Sequence, residues 1–206
     1  MAPGGRRLRE LFDDSPTPHI AHPPRTHRRD FYVAADGSFA GGASGLGAII
    51  EARTGERVAR VAREDDAPDN NVAEYRALHL GLDVLADRAP AGARVGVLVD
   101  HDDLAANVNA AALAATDPEY AALQPPTVPA STEHHWRGIR SRIAGFAEVR
   151  AARIDSGHNP AHPLANAPER YAHVNREPDR CLLPGLEERD EQIPPPSRSE
   201  RSGASD

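Results

Sequence analysis

Apolar segments separated by turn residues open the middle part of the chain and predict three strands. A compact apolar run covers Phe31 to Ala35. Two further apolar segments, Gly45 to Ala52 and Arg57 to Arg63, flank Thr54-Gly55-Glu56, which is a hairpin signal. The pattern therefore predicts three consecutive antiparallel strands.

A helical periodicity follows, from about Val72 to Asp87. Asn70 or Asn71 can cap this helix. Its apolar positions recur at spacings of three and four, as they do on the buried face of a helix: Val72, Tyr75, Leu78, Leu82 and Leu85. The nearly continuous apolar run from Arg94 to Val99 predicts a strand that is buried on both faces. A crossover from helix to parallel strand joins the two.

The second half of the chain continues with helices and one more strand. The pattern predicts an Ala-rich helix, a Pro-rich loop, a second helix, a strand and, after another loop, a short last helix: residues 102–115, 117–133, 134–146, 148–154 and up to about 173. The order β-β-β-α-β-α-α-β-α predicts an α/β fold. Trp136 falls on the apolar face of its helix, and the adjacent His134 and His135 point in different directions, which is poor geometry for a metal site.

The two ends of the chain differ in composition from the middle. Residues 1–28 hold Pro, Arg, His and Ser with little periodicity, and residues 176–206 are rich in Pro, Arg, Glu and Ser. Such segments do not bury enough apolar surface to fold. We therefore expect a mostly disordered arm over 1–28, in which Leu8, Leu11 and Phe12 can form one short helical turn, a domain over 29–175, and a disordered tail over 176–206.

The length of 206 residues suits one domain of ordinary size with tails. No apolar run approaches the roughly 18 residues of a membrane span, and the N-terminus lacks the apolar stretch of a secretory signal. A single cysteine, Cys181, excludes an internal disulfide and a cysteine-based zinc site. These features predict a cytoplasmic protein with no membrane partner and no evident obligate protein partner.

The charge of the chain limits the ways in which it can bind a polyanion such as nucleic acid. The formal net charge is −7, and all 24 basic residues are Arg. An acidic chain does not attract nucleic acid as a whole, so binding would depend on local Arg clusters, which grip phosphate bidentately, and on bound cations. Two explanations of the composition stay open: GC-rich coding, and a high-salt cytoplasm in which phosphate attraction is screened.

Three short segments each place a carboxylate on an apolar element. Asp36 lies in the Ala-Ala-Asp-Gly-Ser stretch that continues into a Gly-rich hairpin, Glu74 lies in the first turn of the helix, and Asp100 ends a buried strand. Acids from three elements can together hold a hard cation such as Mg²⁺. Each acid alone has another explanation: a turn former, a favourable charge at a helix N-terminus, or a cap for the next helix.

The order and spacing of these segments resemble type 1 ribonuclease H over roughly residues 30–175. In that family the first acid opens a D-G-S stretch followed by glycines, the second follows paired asparagines, and the third ends an apolar strand. The resemblance implies a five-stranded mixed sheet with helices on its faces. It also implies an endonuclease that cleaves the RNA strand of RNA–DNA hybrids with two ions, Mg²⁺ or Mn²⁺, held by Asp36, Glu74 and Asp100.

The chain departs from the family at the fourth acid. Where the family has A-D-x-L-A, this chain reads Ala-His-Pro-Leu-Ala over 161–165, with His162 at the position of the aspartate. Imidazole is a poorer ligand for Mg²⁺ than carboxylate, so His162 as a catalytic metal ligand predicts a preference shifted toward Mn²⁺. The alternative is a surface or capping histidine beside a weakened site. Asp155 is a candidate replacement charge.

His158, in the loop before residues 161–165, has a predicted role of its own. Many family members carry a histidine or an asparagine in this loop, and the resemblance gives His158 a part in proton transfer or product release. A group that titrates near neutral pH can perform it. A solvent-exposed loop histidine is the alternative.

Candidate substrate contacts fall on the Gly-rich turn, the start of the first long helix and the helix after the Pro-rich loop: Gly37, Ser38, Asn70, Asn71, Arg137 and Arg140. Glycine lets backbone approach a ligand closely, and the resemblance places the asparagine pair near the minor groove of the hybrid. The two arginines, with Arg142, are either phosphate contacts or a solvated helix face.

Two other functions stay open at the level of the sequence. A nucleic-acid-binding module that has lost cleavage is favoured by His162 and by the net negative charge. A DNA exonuclease or resolvase on the same fold is disfavoured by the Asn-Asn-x-x-Glu segment, which matches hybrid-cleaving enzymes. Asp102 and Asp103 are read as first-turn helix acids, with an accessory metal role as the alternative.

Overall fold

The computed structural model describes residues 6–15, 29–90, 92–117, 119 and 127–171. Its helices and strands are, in chain order, α1 (Leu8–Asp14), β1 (Phe31–Ala40), β2 (Ala43–Ala52), β3 (Arg57–Asp65), α2 (Asn70–Ala86), β4 (Arg94–Val99), α3 (Asp102–Thr116), α4 (Glu133–Gly145), β5 (Glu148–Arg153) and α5 (His162–Asn166). Short 3-10 turns lie at Ala130–Thr132, Ser156–His158 and Pro168–Tyr171.

The five strands form one mixed sheet in the order β3-β2-β1-β4-β5. The β1–β2 and β2–β3 pairs are antiparallel, and the β1–β4 and β4–β5 pairs are parallel. The hairpins between the first three strands are short, whereas the crossovers that precede β4 and β5 contain helices, as parallel neighbours require. The predicted α/β class, the five-stranded mixed sheet and the element order are confirmed, with α1 as an additional element.

Helices lie against both faces of the sheet, and small residues set their distance. On one face α2 contacts β1 and β2 closely at Gly81, where an added Cβ would lie 3.0 Å from Val33 Cγ1. On the other face α5 lies against β2, where a Cβ on Gly47 would lie 2.5 Å from the Ala161 carbonyl oxygen. Asp36 pairs with Gly47 across the β1–β2 ladder. Because directly paired residues share a face, Asp36 points toward α5.

The predicted apolar stripe of α2 is buried. Its five members are at most 1% exposed: Val72, Tyr75, Leu78, Leu82 and Leu85. Trp136 on α4 is 7% exposed, and its ring centroid lies 6.0 Å from that of Tyr75. The prediction that Trp136 belongs to the core is therefore confirmed.

Within the predicted arm, residues 8–14 form an ordered helix that is longer than the single turn expected there and that packs on the domain. These residues form α1, whose apolar side chains Leu8 and Phe12 are buried, and the Phe12 ring packs edge-on against Tyr32 at a centroid distance of 5.5 Å. The Leu8 backbone N–H donates to the buried Glu51 carboxylate at 2.9 Å. The sequence pattern does not predict this packing, because a helix of seven residues has too few positions to show periodicity and its partners Tyr32 and Glu51 lie 20 or more residues away. Helix α1 thus completes the face of the sheet that α5 covers only in part.

Other differences concern boundaries. Strand β1 runs on through Asp36 to Ala40 instead of ending at Ala35, because the whole segment pairs with β2. The last predicted helix is divided into α5 and the 3-10 turn Pro168–Tyr171. The remaining positions of the predicted arm, most of the Pro-rich loop, Cys181 and the tail over 176–206 lie outside the described residues.

Candidate metal centre

Two neighbouring parallel strands bring Asp36 and Asp100 to the same level of the sheet. Strands β1 and β4 pair Ala34 with Leu98, and each acid comes two residues later. Ligands in α/β sheets bind at the carboxyl ends of parallel strands. The register alone therefore places the two carboxylates side by side.

Helix α2 supplies the third carboxylate because its first turn touches β1. Asp69 caps the helix by accepting a hydrogen bond from the Val72 N–H at 2.9 Å. Gly37 lets the strand and helix backbones meet: a Cβ there would lie 2.2 Å from the Ala73 carbonyl carbon and 2.3 Å from Glu74 N. Glu74 is consequently held beside Asp36.

The three carboxylates form a cluster at this edge. One oxygen from each of Asp36, Glu74 and Asp100 lies within 4.8 Å of the other two. Asp36 is 1% exposed and Glu74 is 2% exposed, whereas Asp100 is partly accessible to solvent. The geometry shows the predicted convergence of these acids, and their role as metal ligands stays a prediction.

Burial and mutual repulsion make this cluster unsuited to three negative charges. Burial, followed by the nearby Asp100 and Asp36, raises the pKa of Glu74 to about 9. Burial and Asp100 likewise raise the pKa of Asp36 to about 7. Glu74 Oε2 is buried and has no hydrogen-bond partner. A buried oxygen without a partner costs free energy, and a divalent cation would satisfy it, so the residues present fit such an ion.

His162, at the start of α5, lies at the fourth position of the site. Its Nδ1 is 3.2 Å from Asp36 Oδ2, and its Nε2 is 2.6 Å from Asn166 Nδ2. Since the amide nitrogen can only donate, Nε2 accepts and the neutral ring directs its Nδ1 proton at Asp36. The imidazole side chain remains 44% exposed. The sequence-predicted position is therefore beside the cluster, in contact with one of its acids.

Ser38 extends this set of contacts away from the acids. Its hydroxyl donates to Asn166 Oδ1 at 2.6 Å, and Asn166 in turn donates to His162. The three side chains thus form a directed chain of hydrogen bonds that ends on Asp36. Ser38 was predicted to contact substrate, and the structure gives its hydroxyl this partner within the protein.

Asn159 is a site residue that sequence reasoning missed. It is 3% exposed and donates through Nδ2 to the Ala35 carbonyl at 2.9 Å and to Asp36 Oδ1 at 3.3 Å. Its own oxygen accepts from the Ala161 N–H at 3.1 Å. Asn159 therefore ties Asp36 to the loop before α5. An amide between two histidines in a loop was the only sequence signal.

His101 is a second missed residue. Its Nδ1 accepts from the Leu104 N–H at 3.2 Å as the cap of α3, which leaves Nε2 as the donor to Asn71 Oδ1 at 3.0 Å. The proton position follows because a backbone N–H can only donate. The amide group of Asn71 is thereby oriented with its NH₂ away from His101. The only sequence hint was a histidine directly after Asp100.

The other predicted residues lie on the surface around the site. Asn70 and Asn71 are exposed at the N-terminus of α2. Arg137 and Arg140 are exposed on α4 and line a groove of about 410 Å³ whose other wall is Ala111, Ala114 and Ala115 of α3. The roles of all four in substrate binding stay predictions.

The structure does not bring His158 to the acids. Its side chain is 70% exposed, and Nδ1 lies 3.8 Å from Asp155 Oδ2. Asp155 and Asp102 instead approach Arg153, at 3.5 Å and 2.9 Å. Neither aspartate belongs to the carboxylate cluster found among the described residues. The role of His158 in proton transfer stays a prediction.

Comparison with solved structures identifies the fold. The N-terminal RNase H domain of a Mycobacterium tuberculosis protein, solved as a fusion with maltose-binding protein, matches with a TM-score of 0.50 and 20% identity, over 66% of this chain and 95% of that one. The foamy viral protease-reverse transcriptase in complex with RNA/DNA hybrid matches with a TM-score of 0.53 and 14% identity, over 74% of this chain and 22% of that one. The chain therefore has a ribonuclease H-like fold, as predicted.

Two other comparisons found no match. No family model matches the chain, and no curated protein matches it. Among the helices of the described residues, none is long and apolar enough to span a membrane.

Proposed function

We propose that the protein is an endonuclease that cleaves the RNA strand of RNA–DNA hybrids with two divalent cations, Mg²⁺ or Mn²⁺. The observation that carries the proposal is the cluster of Asp36, Glu74 and Asp100 on a ribonuclease H-like sheet. The foamy viral protein of similar fold was solved with an RNA/DNA hybrid, which supports this class of ligand.

The carboxylates would hold the cations. Asp36, Glu74 and Asp100 offer hard oxygen ligands from three rigid elements, and Asn159 fixes the orientation of Asp36. Two bound cations would stabilise the attacking and leaving oxygens of a phosphodiester and promote formation of the nucleophile. Because Glu74 Oε2 has no protein partner, it is free to serve such an ion.

His162 contributes hydrogen-bonding capacity where the family has a fourth carboxylate. Its Nδ1–H holds Asp36 Oδ2, and Asn166 fixes the ring. With no fourth negative charge at this position, the site neutralises hard Mg²⁺ less fully. A ring rotation that exchanged one of these hydrogen bonds for a cation would present an imidazole nitrogen, which favours metals softer than Mg²⁺. We therefore expect the balance of activities to shift toward Mn²⁺.

The start of α2 would read the hybrid. Asn70 and Asn71 are exposed there, and His101 holds the Asn71 oxygen so that its NH₂ faces outward as a donor. Donors of this kind can contact base edges and 2′-hydroxyls in the wide minor groove, and the 2′-hydroxyl distinguishes RNA from DNA. Such readout depends on the shape of the hybrid and largely not on its sequence.

Helix α4 would hold a backbone of the hybrid. Arg137 and Arg140 are exposed at the groove between α3 and α4. Guanidinium groups bind phosphate through paired hydrogen bonds, and such contacts fix register and not sequence. Because the chain is acidic overall, these local charges would carry much of the electrostatic attraction.

A catalytically impaired nucleic-acid-binding module is the second candidate. The specific observation that favours it is His162, which occupies the fourth position and engages Asp36. A module of this kind would bind hybrids through the same surfaces and would not cleave them. Metal-dependent turnover separates the two functions.

The first experiment is a cleavage assay on an end-labelled RNA–DNA hybrid, with duplex DNA and single-stranded RNA as comparison substrates. The purified protein is incubated with Mg²⁺ and, separately, with Mn²⁺, at low and at molar salt. The proposal predicts metal-dependent cutting of the RNA strand in the hybrid alone. Binding of the hybrid with no cutting under any condition would favour the second candidate.

Asp100→Asn is the matched variant for this assay. It removes one negative charge from the cluster and no core volume, so we expect loss of cleavage by more than about a hundredfold with an unchanged circular dichroism spectrum. The exposed Asp103→Asn, one turn from the cluster, is the control and is expected to keep full activity. Retained cleavage in Asp100→Asn would refute the metal assignment.

A further inference from the structure

A second group of metal-binding side chains lies at the contact between α2 and α4. His79 projects from α2, and His134 and His135 come from the first turn of α4. The centroids of the His79 and His135 rings are 5.3 Å apart, and that of His134 lies 5.5 Å from His135 and 6.5 Å from His79. None of the three contributes to the carboxylate cluster, and the proposed cleavage uses none of them.

The nitrogens of two of these rings point at each other. His79 Nδ1 and His135 Nδ1 are 3.1 Å apart. Two nitrogens bound to one tetrahedral Zn²⁺ at about 2.0–2.1 Å would be separated by roughly 3.3 Å. The spacing in the structure therefore differs from that of a metal-bound pair by only a few tenths of an ångström, which small side-chain rotations can supply.

The second ring nitrogen of His79, Nε2, faces a carboxylate, as is common for histidines that bind metals. Its Nε2 lies 3.5 Å from Asp83 Oδ2, and Asp83 is itself held by Arg142 Nε at 2.7 Å. A metal-bound histidine commonly donates its other N–H to a carboxylate, which fixes the tautomer and raises the basicity of the ligating nitrogen. With its proton on Nε2, His79 presents a lone pair on Nδ1 toward His135.

The backbone of α4 makes room for this ring. A Cβ on Gly138 would lie only 2.0 Å from His79 Nε2, so the imidazole fits only because position 138 is glycine. An open groove of about 550 Å³ runs past His79, Asp83 and His134. Burial lowers the pKa of both His79 and His135, which favours the neutral imidazole that a metal ion requires.

We propose that His79 Nδ1 and His135 Nδ1 form a site for a transition-metal ion of the Zn²⁺ class that bridges α2 and α4. In the metal-free protein His135 Nδ1–H donates to His79 Nδ1. On metal binding the His135 proton moves from Nδ1 to Nε2, so that both Nδ1 lone pairs face the ion. Water would complete the coordination of the ion.

This site and the carboxylate cluster select different ions. Imidazole nitrogen suits Zn²⁺, Ni²⁺ and Cu²⁺, whereas carboxylate oxygen suits Mg²⁺ and Mn²⁺. Millimolar Mg²⁺ can therefore occupy the carboxylates while leaving the histidine pair open. The inference does not rest on the proposed cleavage, because it concerns other residues and another class of metal.

The test measures Zn²⁺ binding to the full chain in excess Mg²⁺. Calorimetry gives the affinity, thermal unfolding gives the stabilisation that a folded-state ligand must produce, and visible absorption of bound Co²⁺ reports nitrogen coordination independently of stability. The variants are His79→Gln and His135→Gln. The controls are His158→Gln, an exposed histidine, and Asp36→Asn, which disables the carboxylate cluster.

The expected result is a loss of Zn²⁺ affinity by at least about tenfold in His79→Gln and His135→Gln, together with loss of the Co²⁺ absorption. His158→Gln and Asp36→Asn should bind Zn²⁺ as the wild type does. Equal affinity in all five proteins would place Zn²⁺ elsewhere in the chain and overturn the proposal. Loss in Asp36→Asn alone would overturn it as well, because Zn²⁺ would then occupy the carboxylates.

Discussion

At the residue scale, two neighbouring carboxylates have strongly raised pKa values. Asp36 and Glu74 lie in the same nearly dry part of the sheet edge, with Asp100 beside them. Without a cation, the favoured way to keep this arrangement is to hold protons, which is why the pKa of both groups is raised. The same arrangement that would bind a metal therefore makes the metal-free protein sensitive to pH.

The metal-free wild type is expected to lose stability as the pH rises from about 5 to about 8. Unfolded carboxyls release their protons at about pH 4, whereas the folded pKa of Asp36 is about 7 and that of Glu74 about 9. The folded state thus binds more protons in this window, and its free energy of unfolding falls as the pH increases. Glu74→Gln should make the free energy of unfolding less dependent on pH. At the upper pH its free energy of unfolding should exceed that of the wild type by about 1–2 kcal/mol.

Denaturant titrations in EDTA at the two pH values measure this effect. Glu64→Gln, an exposed acid on β3, serves as the control and should keep the wild-type pH dependence. Added Mg²⁺ should stabilise the wild type more at the higher pH, where the acids are ionised more readily. A Glu74→Gln variant with the wild-type pH slope would show that Glu74 is not protonated in the folded state.

His162 is the second residue whose replacement is informative. His162→Asp adds a carboxylate within reach of Asp36, so Mg²⁺ should bind more tightly and the ratio of Mg²⁺- to Mn²⁺-supported cleavage should rise by about tenfold or more. The metal-free protein should become less stable, because a like charge joins the cluster. Cleavage rates titrated with each metal decide between this expectation and an indispensable role for the imidazole, which would appear as lower activity with both metals.

At the element scale, the contact between β1 and α2 builds the site. Gly37→Ala would place a methyl group 2.2 Å from the carbonyl carbon of Ala73. Because this distance is too short for two carbon atoms, α2 and β1 would have to separate. We expect a destabilisation of about 1–3 kcal/mol and loss of metal-induced stabilisation, because Glu74 moves away from Asp36. Thermal unfolding with and without Mn²⁺ measures both quantities.

Gly145→Ala is the matched glycine substitution, since a Cβ there meets nothing within 4 Å. It should leave stability and metal binding almost unchanged. If Gly37→Ala behaved in the same way, the helix would be able to shift without cost, and the close contact would not position Glu74.

Most elements could be predicted from the sequence, because local periodicity defines them. The stripe of α2 and the apolar run of β4 come from spacing alone, and the observed bounds differ by only a few residues. The convergence of the three acids could be expected from the strand ends. Asn159, His101 and His79 could not be found in this way, because their partners lie 30 to 124 residues away along the chain.

At the scale of the whole molecule, the N-terminal helix closes the domain. Leu8, Leu11 and Phe12 of α1 are all buried. Phe12→Ala is expected to lower the free energy of unfolding by about 3 kcal/mol, through lost burial and the cavity beside Tyr32. Chemical denaturation of the full chain measures it.

Phe39→Ala is the control for this substitution, because Phe39 is 38% exposed at the β1–β2 hairpin. Its effect on stability should stay within about 0.5 kcal/mol. Equal stability of Phe12→Ala and the wild type would mean that α1 leaves the sheet in solution, and that residues 8–14 behave as an arm after all.

The position of Trp136 allows the contact between α2 and α4 to be followed by fluorescence. It is the only tryptophan of the chain, and it lies beside Tyr75 where α4 meets α2. Light at the red edge of the protein's ultraviolet absorption band excites only this tryptophan, so the fluorescence reports on the contact between α2 and α4 and on no other part of the molecule. A rearrangement of the two helices would change the emission maximum and the fluorescence lifetime of Trp136 as it occurs. The native chain can therefore be followed by its own fluorescence and requires no attached dye.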